Sequence, residues 1–378
     1  MRLTADWLTS AASQAVCGAL ADGGFQAYFV GGCVRNAIID APVSDLDICT
    51  DARPEQTLKQ AELAGLKAIP TGIDHGTITI IADGIPYEVT TFRRDVETDG
   101  RHAKVAFSDT LEEDAERRDF TMNALYCDAS GQVIDPVGGL PDLQRRHVRF
   151  IGEPDARIQE DYLRILRFFR FTAWYGDDAL GIDADGLSAC AVHSDGLSQI
   201  SAERIGAEMR KLLSAPDPSV AVASMQASGV LAAVLPGASA AALPVLVHIE
   251  LDEKANPIRR LAVMGGENMA DRLRFSNAER KEYDAIRAGL ETDLEELGYR
   301  FKETCIDTYL VRQALMGQPI VQSEIDQIKQ ASRQEFPVRA ADLMPAYSGA
   351  ALGAKLKELE QKWISSGFSL TKSQLCDG

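Results

Sequence analysis

Short apolar runs bounded by turn residues fill the first 150 positions of the chain. YFVGG (28–32), LDICT (46–50), TITIIA (77–82) and YEVTTF (87–92) are β-branched or aromatic-rich and end at Gly, Pro or Asp, which predicts strands. Between them, 33–39 and 54–64 read as helices, with Pro54 at a first helical position where its missing N–H costs nothing. From about 155 the pattern changes to helical spacing over 156–175, 201–214, 218–232, 277–289 and 352–364, with no strand pattern after it. GDD (176–178), APDP (215–218), LPGA (235–238) and QEFP (334–337) break these helices. The expectation is an α+β chain: a small α/β head, connecting helices, then a helical body and tail.

One stretch of the head carries chemistry. In YFVGGCVRNAIIDAPVSDLDICT (28–50) a strand runs into Gly31-Gly32 and a helix begins near Cys33. Two glycines let backbone approach a ligand closely, and a helix start offers unpaired N–H groups, a combination that suits a triphosphate or serves as a plain turn. Thirteen residues after the glycines comes Asp45-Leu46-Asp47 in a strand-like run. Residues i and i+2 of a strand share a face, so both carboxylates converge. Two carboxylates aimed at one point repel unless a cation lies between them, and oxygen donors with a triphosphate select Mg²⁺. Glu88, between Tyr87 and Val89, is either a third carboxylate of this site or a partner for Arg93 or Arg94.

Composition narrows the class. The chain has 378 residues, 39 basic against 56 acidic, a net charge of −17 and 46% hydrophobic residues. This is the profile of a soluble globular enzyme of two or three packed units, and bulk positive charge cannot hold it on nucleic acid. Against that background, 145–170 holds seven arginines and no lysine beside four acids (Glu153, Asp155, Glu160, Asp161). Seven scattered cysteines without a CxxC pair, and five histidines, argue against a disulfide framework and a zinc site. No run approaches the roughly 20 apolar residues of a membrane span, and MRLTADWLTSAA lacks the order of a signal peptide, so no membrane and a cytoplasmic address are expected.

In order along the chain come GGCVR (31–35), DLD (45–47), DGRHA (99–103), RRDFTMNAL (117–125), DPVGG (135–139), EDYLRILRFFRF (160–171) and SAERIGAEMRKLL (201–213). Together they resemble the class II tRNA nucleotidyltransferases, the CCA-adding enzymes, which share their head with bacterial poly(A) polymerases. The resemblance is strong over the first 215 residues and weak beyond. It implies a polymerase-β-like nucleotidyltransferase head (1–150), a helical neck that recognises the nucleobase (151–215) and a helical body and tail that grip tRNA (216–378).

The resemblance also implies roles. Asp45 and Asp47 are the catalytic Mg²⁺ ligands, with Glu88 a third carboxylate of the catalytic site. Gly31, Gly32 and Arg35 belong to the triphosphate cradle, Arg118 contacts phosphate, Asp119 reads the ribose 2′-hydroxyl and Asn123 holds the same region together. On a continuous helix Asp161 and Arg164 are i,i+3 neighbours whose side chains can meet. By resemblance they form a protein template for the Watson–Crick edge of CTP or ATP, with Arg167 and Arg170 continuing the strip beside an apolar stripe of Leu163, Leu166 and Phe169. Residues 93–116 read as a polar, mobile segment, which in the family helps the switch from C to A. Ser201 reads as an N-cap, and Glu203, Arg204 and Glu208 as braces for the nucleotide-binding helix. In the tail, Leu352, Leu356, Leu359 and Trp363 make one face of an amphipathic helix.

The implied activity is template-independent addition of CCA to the 3′ end of tRNA from CTP and ATP, with pyrophosphate released. A poly(A) polymerase or a partial enzyme adding only CC or only A shares the head. A catalytically silent RNA-binding protein is the third reading, and intact Asp45, Asp47 and Arg118 speak against it, because lost catalysis frees such positions to change.

Overall fold

The computed structural model describes residues 1–97, 104–250 and 254–376. Two compact units form: residues 1–212 with 220–234, and residues 213–219 with 235–378. Among the described residues the strands all precede residue 135, and no helix is long and apolar enough to cross a membrane.

The first unit is built on a seven-stranded mixed sheet in the order β3-β4-β5-β2-β1-β8-β9. The strands are β1 (Ala27–Val30), β2 (Leu46–Thr50), β3 (Lys67–Gly72), β4 (Thr77–Ala82), β5 (Ile85–Thr91), β8 (Tyr126–Asp128) and β9 (Val133–Ile134). β2 and β5 run parallel, and the neighbouring pairs are antiparallel. Alternation decides the two faces. Phe29, Ile48, Ile78, Ile80, Tyr87 and Val89 turn to one side and are buried there beneath the helices Ala11–Asp22 and Pro54–Leu63. Tyr87 carries its hydroxyl to Ser13 Oγ at 3.0 Å, so the one polar atom in this layer is paired. The opposite face bears a smaller core of Val30, Cys49, Phe92, Leu111, Ala115, Ala124, Tyr126 and Ile151, and beside it the acidic residues remain open.

The expected mobile segment is corrected in part. Residues 93–97 (β6) and 104–107 (β7) pair as an antiparallel hairpin, followed by the helix Leu111–Glu116. The hairpin is anchored where Ser108 N–H donates to Phe92 O at 2.8 Å and Arg53 lies over the Phe107 ring at 5.3 Å. DGRHA (99–103) lies outside the described residues.

The predicted helix 156–175 is also corrected: it is two helices, Pro154–Glu160 and Leu163–Tyr175. Asp161 takes an extended conformation (φ −152°, ψ 105°), and its Oδ1 accepts from Leu163 N–H at 3.1 Å. An aspartate side chain that offers itself to the backbone in this way competes with helix continuation, and hydrophobic spacing does not register it. Tyr162 packs at the break against Gly196, where an added Cβ would stand 2.1 Å from the ring. The second helix then buries Leu163, Leu166 and Phe169 as the spacing predicted. Phe120, Phe150, Phe168 and Phe171 pack together with centroid separations of 4.9 to 6.2 Å, Phe150 and Phe168 stacked and the other pairs tilted, fastening the 117–125 segment to this helix. Truncating one such ring to Ala costs about 3–5 kcal/mol.

The second unit is helical throughout its described residues. Its clearest internal device is a buried charge cluster: Glu250 accepts from Arg259 Nε at 2.7 Å and Arg260 Nε at 2.6 Å, and Asp307 takes Arg259 Nη1 at 2.6 Å. Arg260 Nη1 also donates to the carbonyls of Leu213 and Ala215. Further on, Leu352, Leu356, Leu359 and Trp363 of the helix Gly349–Ser365 pack with Val338, Phe336 and Phe368.

Candidate active site

Strand register assembles the acidic end of the site. Asp47 in β2 stands opposite Glu88 in β5, and Glu88 opposite Thr79 in β4, so the three share a face. Asp45 lies just before β2, exposed, with its carboxylate accepting from Ser44 Oγ at 2.9 Å. Burial first, then the neighbouring Glu88 and Asp45, raise the Asp47 carboxyl above its usual range, and Arg118 opposes the rise. Of the two readings of Glu88, the register favours the one beside Asp47: Arg93 donates to His75 O at 2.7 Å, and Arg94 lies 4.0 Å from Glu113.

The glycine turn forms the opposite bank. Gly31 has φ 70° and ψ −117°, a conformation that disfavours any side chain, and caps the short helix Gly32–Ile38. An added Cβ there would lie 3.5 Å from Arg118 Nη1, which brings the arginine against the turn. Arg118 Nη2 and Nε donate to Asp114 Oδ2 at 3.0 and 3.3 Å, and Nε also donates to the Tyr126 hydroxyl at 3.1 Å. Burial works against its charge, but Tyr126 and Asp114 outweigh burial and hold it protonated.

Arg35 is spent inside the protein. It is 6% exposed, donates to Asn123 Oδ1 at 2.5 Å, Asn36 Oδ1 at 2.9 Å and the Tyr175 hydroxyl at 2.7 Å, and stacks over the Tyr175 ring at 4.0 Å. Burial lowers its pKa. From Asn123 the network continues to Asp119, whose carboxylate accepts from Asn123 Nδ2 and Phe120 N–H, each at 2.9 Å. Arg167 supplies two further donors, Nε at 2.7 Å and Nη2. Four donors fill the acceptor sites of that carboxylate. Burial disfavours its charge, yet Arg167 and Asn123 hold its pKa down at about 2.

The pair chosen for base recognition is not a pair in the folded chain. Asp161 Oδ2 accepts from Arg204 Nη2 at 2.7 Å, whereas Arg164 Nη1 turns to Glu160 and to Arg157 O, and Nη2 to Arg117 O at 3.1 Å. The cause is the break at Asp161, which removes the i,i+3 geometry of a continuous helix. Arg170 Nε lies 2.7 Å from Glu208, which ties the helix Ala202–Leu213 to this helix strip. A cleft of about 710 Å³ is lined by Arg94, Arg117, Arg149, Arg157 and Glu160 among others, and none of Asp45, Asp47 or Arg118 lines it.

Sequence reading missed Asp114, Tyr126, Glu160 and Tyr175. Asp114 had a usable signal, an acid three and four positions before a double arginine in a helical run. Tyr175 had none, because its partner Arg35 is 140 positions away.

Among the described residues no three His, Cys, Asp or Glu side chains are gathered closely enough to hold an ion by themselves. Mg²⁺ does not require that: it keeps several waters and is bound by one or two carboxylates plus substrate phosphate. The mutual repulsion felt at Asp47, and a donor set made only of carboxylate oxygen, fit such an ion.

The poly A polymerase head-domain family matches residues 27–149, and the family described as a probable RNA and SrmB-binding site of polymerase A matches residues 180–242. A curated CCA-adding enzyme of Bacillus cytotoxicus is 43% identical over 206 residues, 53% of this chain and 50% of that one. Another, from Streptococcus gordonii, is 46% identical over 195 residues, 51% and 47% of the two chains. The matched region thus spans about half the length of these relatives. The Bacillus stearothermophilus CCA-adding enzyme in complex with CTP superposes with a TM-score of 0.71 and 27% identity, over 94% of this chain and 92% of that one. The Thermotoga maritima CCA-adding enzyme complexed with tRNA matches at a TM-score of 0.69 over 96% and 92%, and at 18% identity shows the fold alone. Residues 27–149 thus match the poly A polymerase head domain, and the seven-stranded sheet with its helices carries the polymerase-β-like fold of that head.

Proposed function

We propose that this chain is a CCA-adding tRNA nucleotidyltransferase: it extends the 3′ end of tRNA by C, C and A from CTP and ATP and releases pyrophosphate. The observation that carries the reading is the meeting of Asp47 and Glu88 with Arg118 at the Gly31 turn, within the segment that matches the poly A polymerase head domain.

Asp45 and Asp47 would hold Mg²⁺, which when bound neutralises phosphate charge and makes the attacking hydroxyl more acidic. Glu88 adds a third negative charge beside them. Arg118 Nη1 and the backbone of Gly31 and Gly32 take the triphosphate, with Arg35 fixing the helix behind the turn. The tRNA 3′-hydroxyl attacks the α-phosphorus, the bond to the bridging oxygen breaks, and the charge leaving on pyrophosphate faces Arg118.

Asp161 keeps acceptor capacity for an exocyclic amine after accepting from Leu163 and Arg204, and Arg164 meets the base by exchanging one of its bonds to Glu160, Arg157 O or Arg117 O. We assign them base choice as two separately held groups, with Arg167 and Arg170 along the same strip. Asp119 reads the ribose 2′-hydroxyl by exchanging one of its Arg167 hydrogen bonds, and Asn123 keeps its carboxylate in place. In the same reading 1–150 is the head, 151–215 the neck and 216–378 a tRNA-binding body and tail, working in the cytoplasm.

Purified protein given Mg²⁺ and a tRNA trimmed of its 3′ end should add two C from CTP alone and stop after one A when ATP is present. Long A tails from ATP alone identify a poly(A) polymerase, arrest after CC or addition of A only identifies a partial enzyme, and no incorporation identifies a silent RNA-binding protein. Chelation of Mg²⁺ should abolish incorporation.

A further inference from the structure

The helix Leu111–Glu116 carries a carboxylate that the proposed chemistry does not use. Asp114 is fully buried. Its Oδ1 accepts from Arg117 Nε and Nη2 at 2.9 and 2.7 Å. Its Oδ2 accepts from Arg118 Nη2 and Nε at 3.0 and 3.3 Å and from the Tyr126 hydroxyl at 2.9 Å. The same hydroxyl accepts from Arg118 Nε at 3.1 Å, and the Arg118 guanidinium lies over the Tyr126 ring at 5.4 Å. A buried carboxylate with this many donors is expensive to keep unless something depends on its position.

The geometry leaves one corner of Arg118 uncommitted. Asp114 and Tyr126 engage Nε and Nη2, and Nη1 is the nitrogen that reaches the Gly31 turn. Tyr126 is itself fixed, fully buried in β8 opposite Val30, the residue before the turn. The strand that carries the glycines therefore also carries the hydroxyl's anchor. Two arginines side by side would repel, and Asp114 offsets part of that repulsion by bonding Arg117 through Oδ1 and Arg118 through Oδ2.

We propose that Asp114, with Tyr126, is a positioning residue that aims Arg118 Nη1 at the triphosphate. The inference rests on the reading of Arg118 as a phosphate contact. An arginine held at two of its three nitrogens is already oriented before substrate arrives, so less rotamer freedom is lost on binding.

The test compares Asp114→Asn, Tyr126→Phe, Arg118→Ala and the Asp114→Asn/Arg118→Ala double variant. Equilibrium dissociation constants for CTP and for pyrophosphate are measured with Mg²⁺, alongside the preference for CTP over UTP in incorporation. Asp114→Asn should weaken both ligands about tenfold, the loss of one charge-assisted hydrogen bond. It should leave base preference unchanged, since Asp161 and Arg164 are untouched. Tyr126→Phe should weaken both ligands about threefold. In the Arg118→Ala background, Asp114→Asn should add nothing, because the residue it positions is gone. Should Asp114→Asn fail to fold, Tyr126→Phe decides alone, and unchanged affinities there overturn the proposal. Further weakening in the double variant also overturns it. If Arg118→Ala binds both ligands like the parent, the phosphate reading itself has failed; if it loses them and Asp114→Asn does not, only the positioning role has.

Discussion

Asp161 and Arg204, 43 positions apart, share a 2.7 Å hydrogen bond that joins the end of one helix to the first turn of another. Both side chains are about a third exposed, so the bond holds a direction more than it supplies stability. Asp161→Ala should lower the discrimination of CTP against UTP about tenfold, with little change in metal dependence. Arg204→Ala should lower it less, because the Leu163 N–H still holds the other oxygen. Competitive incorporation measures both, and equal losses of discrimination and metal binding would sink the assignment.

Asp47 answers differently from an ordinary catalytic carboxylate. Burial, Glu88 and Asp45 raise its pKa, so the folded state binds its proton more tightly than the unfolded chain. Its contribution to stability is therefore fully present below the unfolded pKa and is lost as pH rises through the folded one. Asp47→Asn should abolish incorporation, by about a hundredfold or more, while leaving the melting temperature at pH 7 equal to the parent's or higher. Asp45→Ala should be as inactive. Thermal melts beside single-turnover incorporation check the pair.

Asp119 has the opposite sign. Its pKa falls from the model-compound value of 3.8 to about 2, so its contribution is present above that ordinary value and is lost as pH drops toward 2. About 2 kcal/mol is at stake. Urea midpoints across that window should fall less steeply for Asp119→Asn than for the parent. Parallel curves would mean that Arg167 does not hold the carboxylate in solution.

In the second unit Arg260 is 2% exposed and satisfies Glu250 together with the carbonyls of Leu213 and Ala215. Arg260→Met leaves those oxygens short of donors and should cost about 3–5 kcal/mol in denaturant unfolding. A loss below about 1 kcal/mol would show that water replaces the guanidinium there.

Much of the head could be read directly. LDICT and TITIIA are strands at their predicted ends, Pro54 opens its helix, and the double glycine stands at the turn into a helix, with Gly31 at a positive φ. These are local properties: alternation, a fixed φ and a missing Cβ act over a few residues. The strands β3, β8 and β9 were not visible, because β3 is largely exposed and β8 and β9 are two or three residues long. Their pairing comes from the sheet beside them.

The sequence by itself determined which residues are chemically equipped: the paired aspartates, the double glycine, the arginine-rich strip and the apolar stripe beneath it. Only the tertiary structure decided how they combine. Glu88 reaches Asp47 through parallel pairing of β2 and β5, Asp161 finds Arg204 instead of Arg164, and Arg35 disappears into Asn123 and Tyr175. The reason is range: helical and strand periodicity encode neighbours within about four positions, whereas these partners lie 41, 43, 88 and 140 positions apart and meet only once the core has closed.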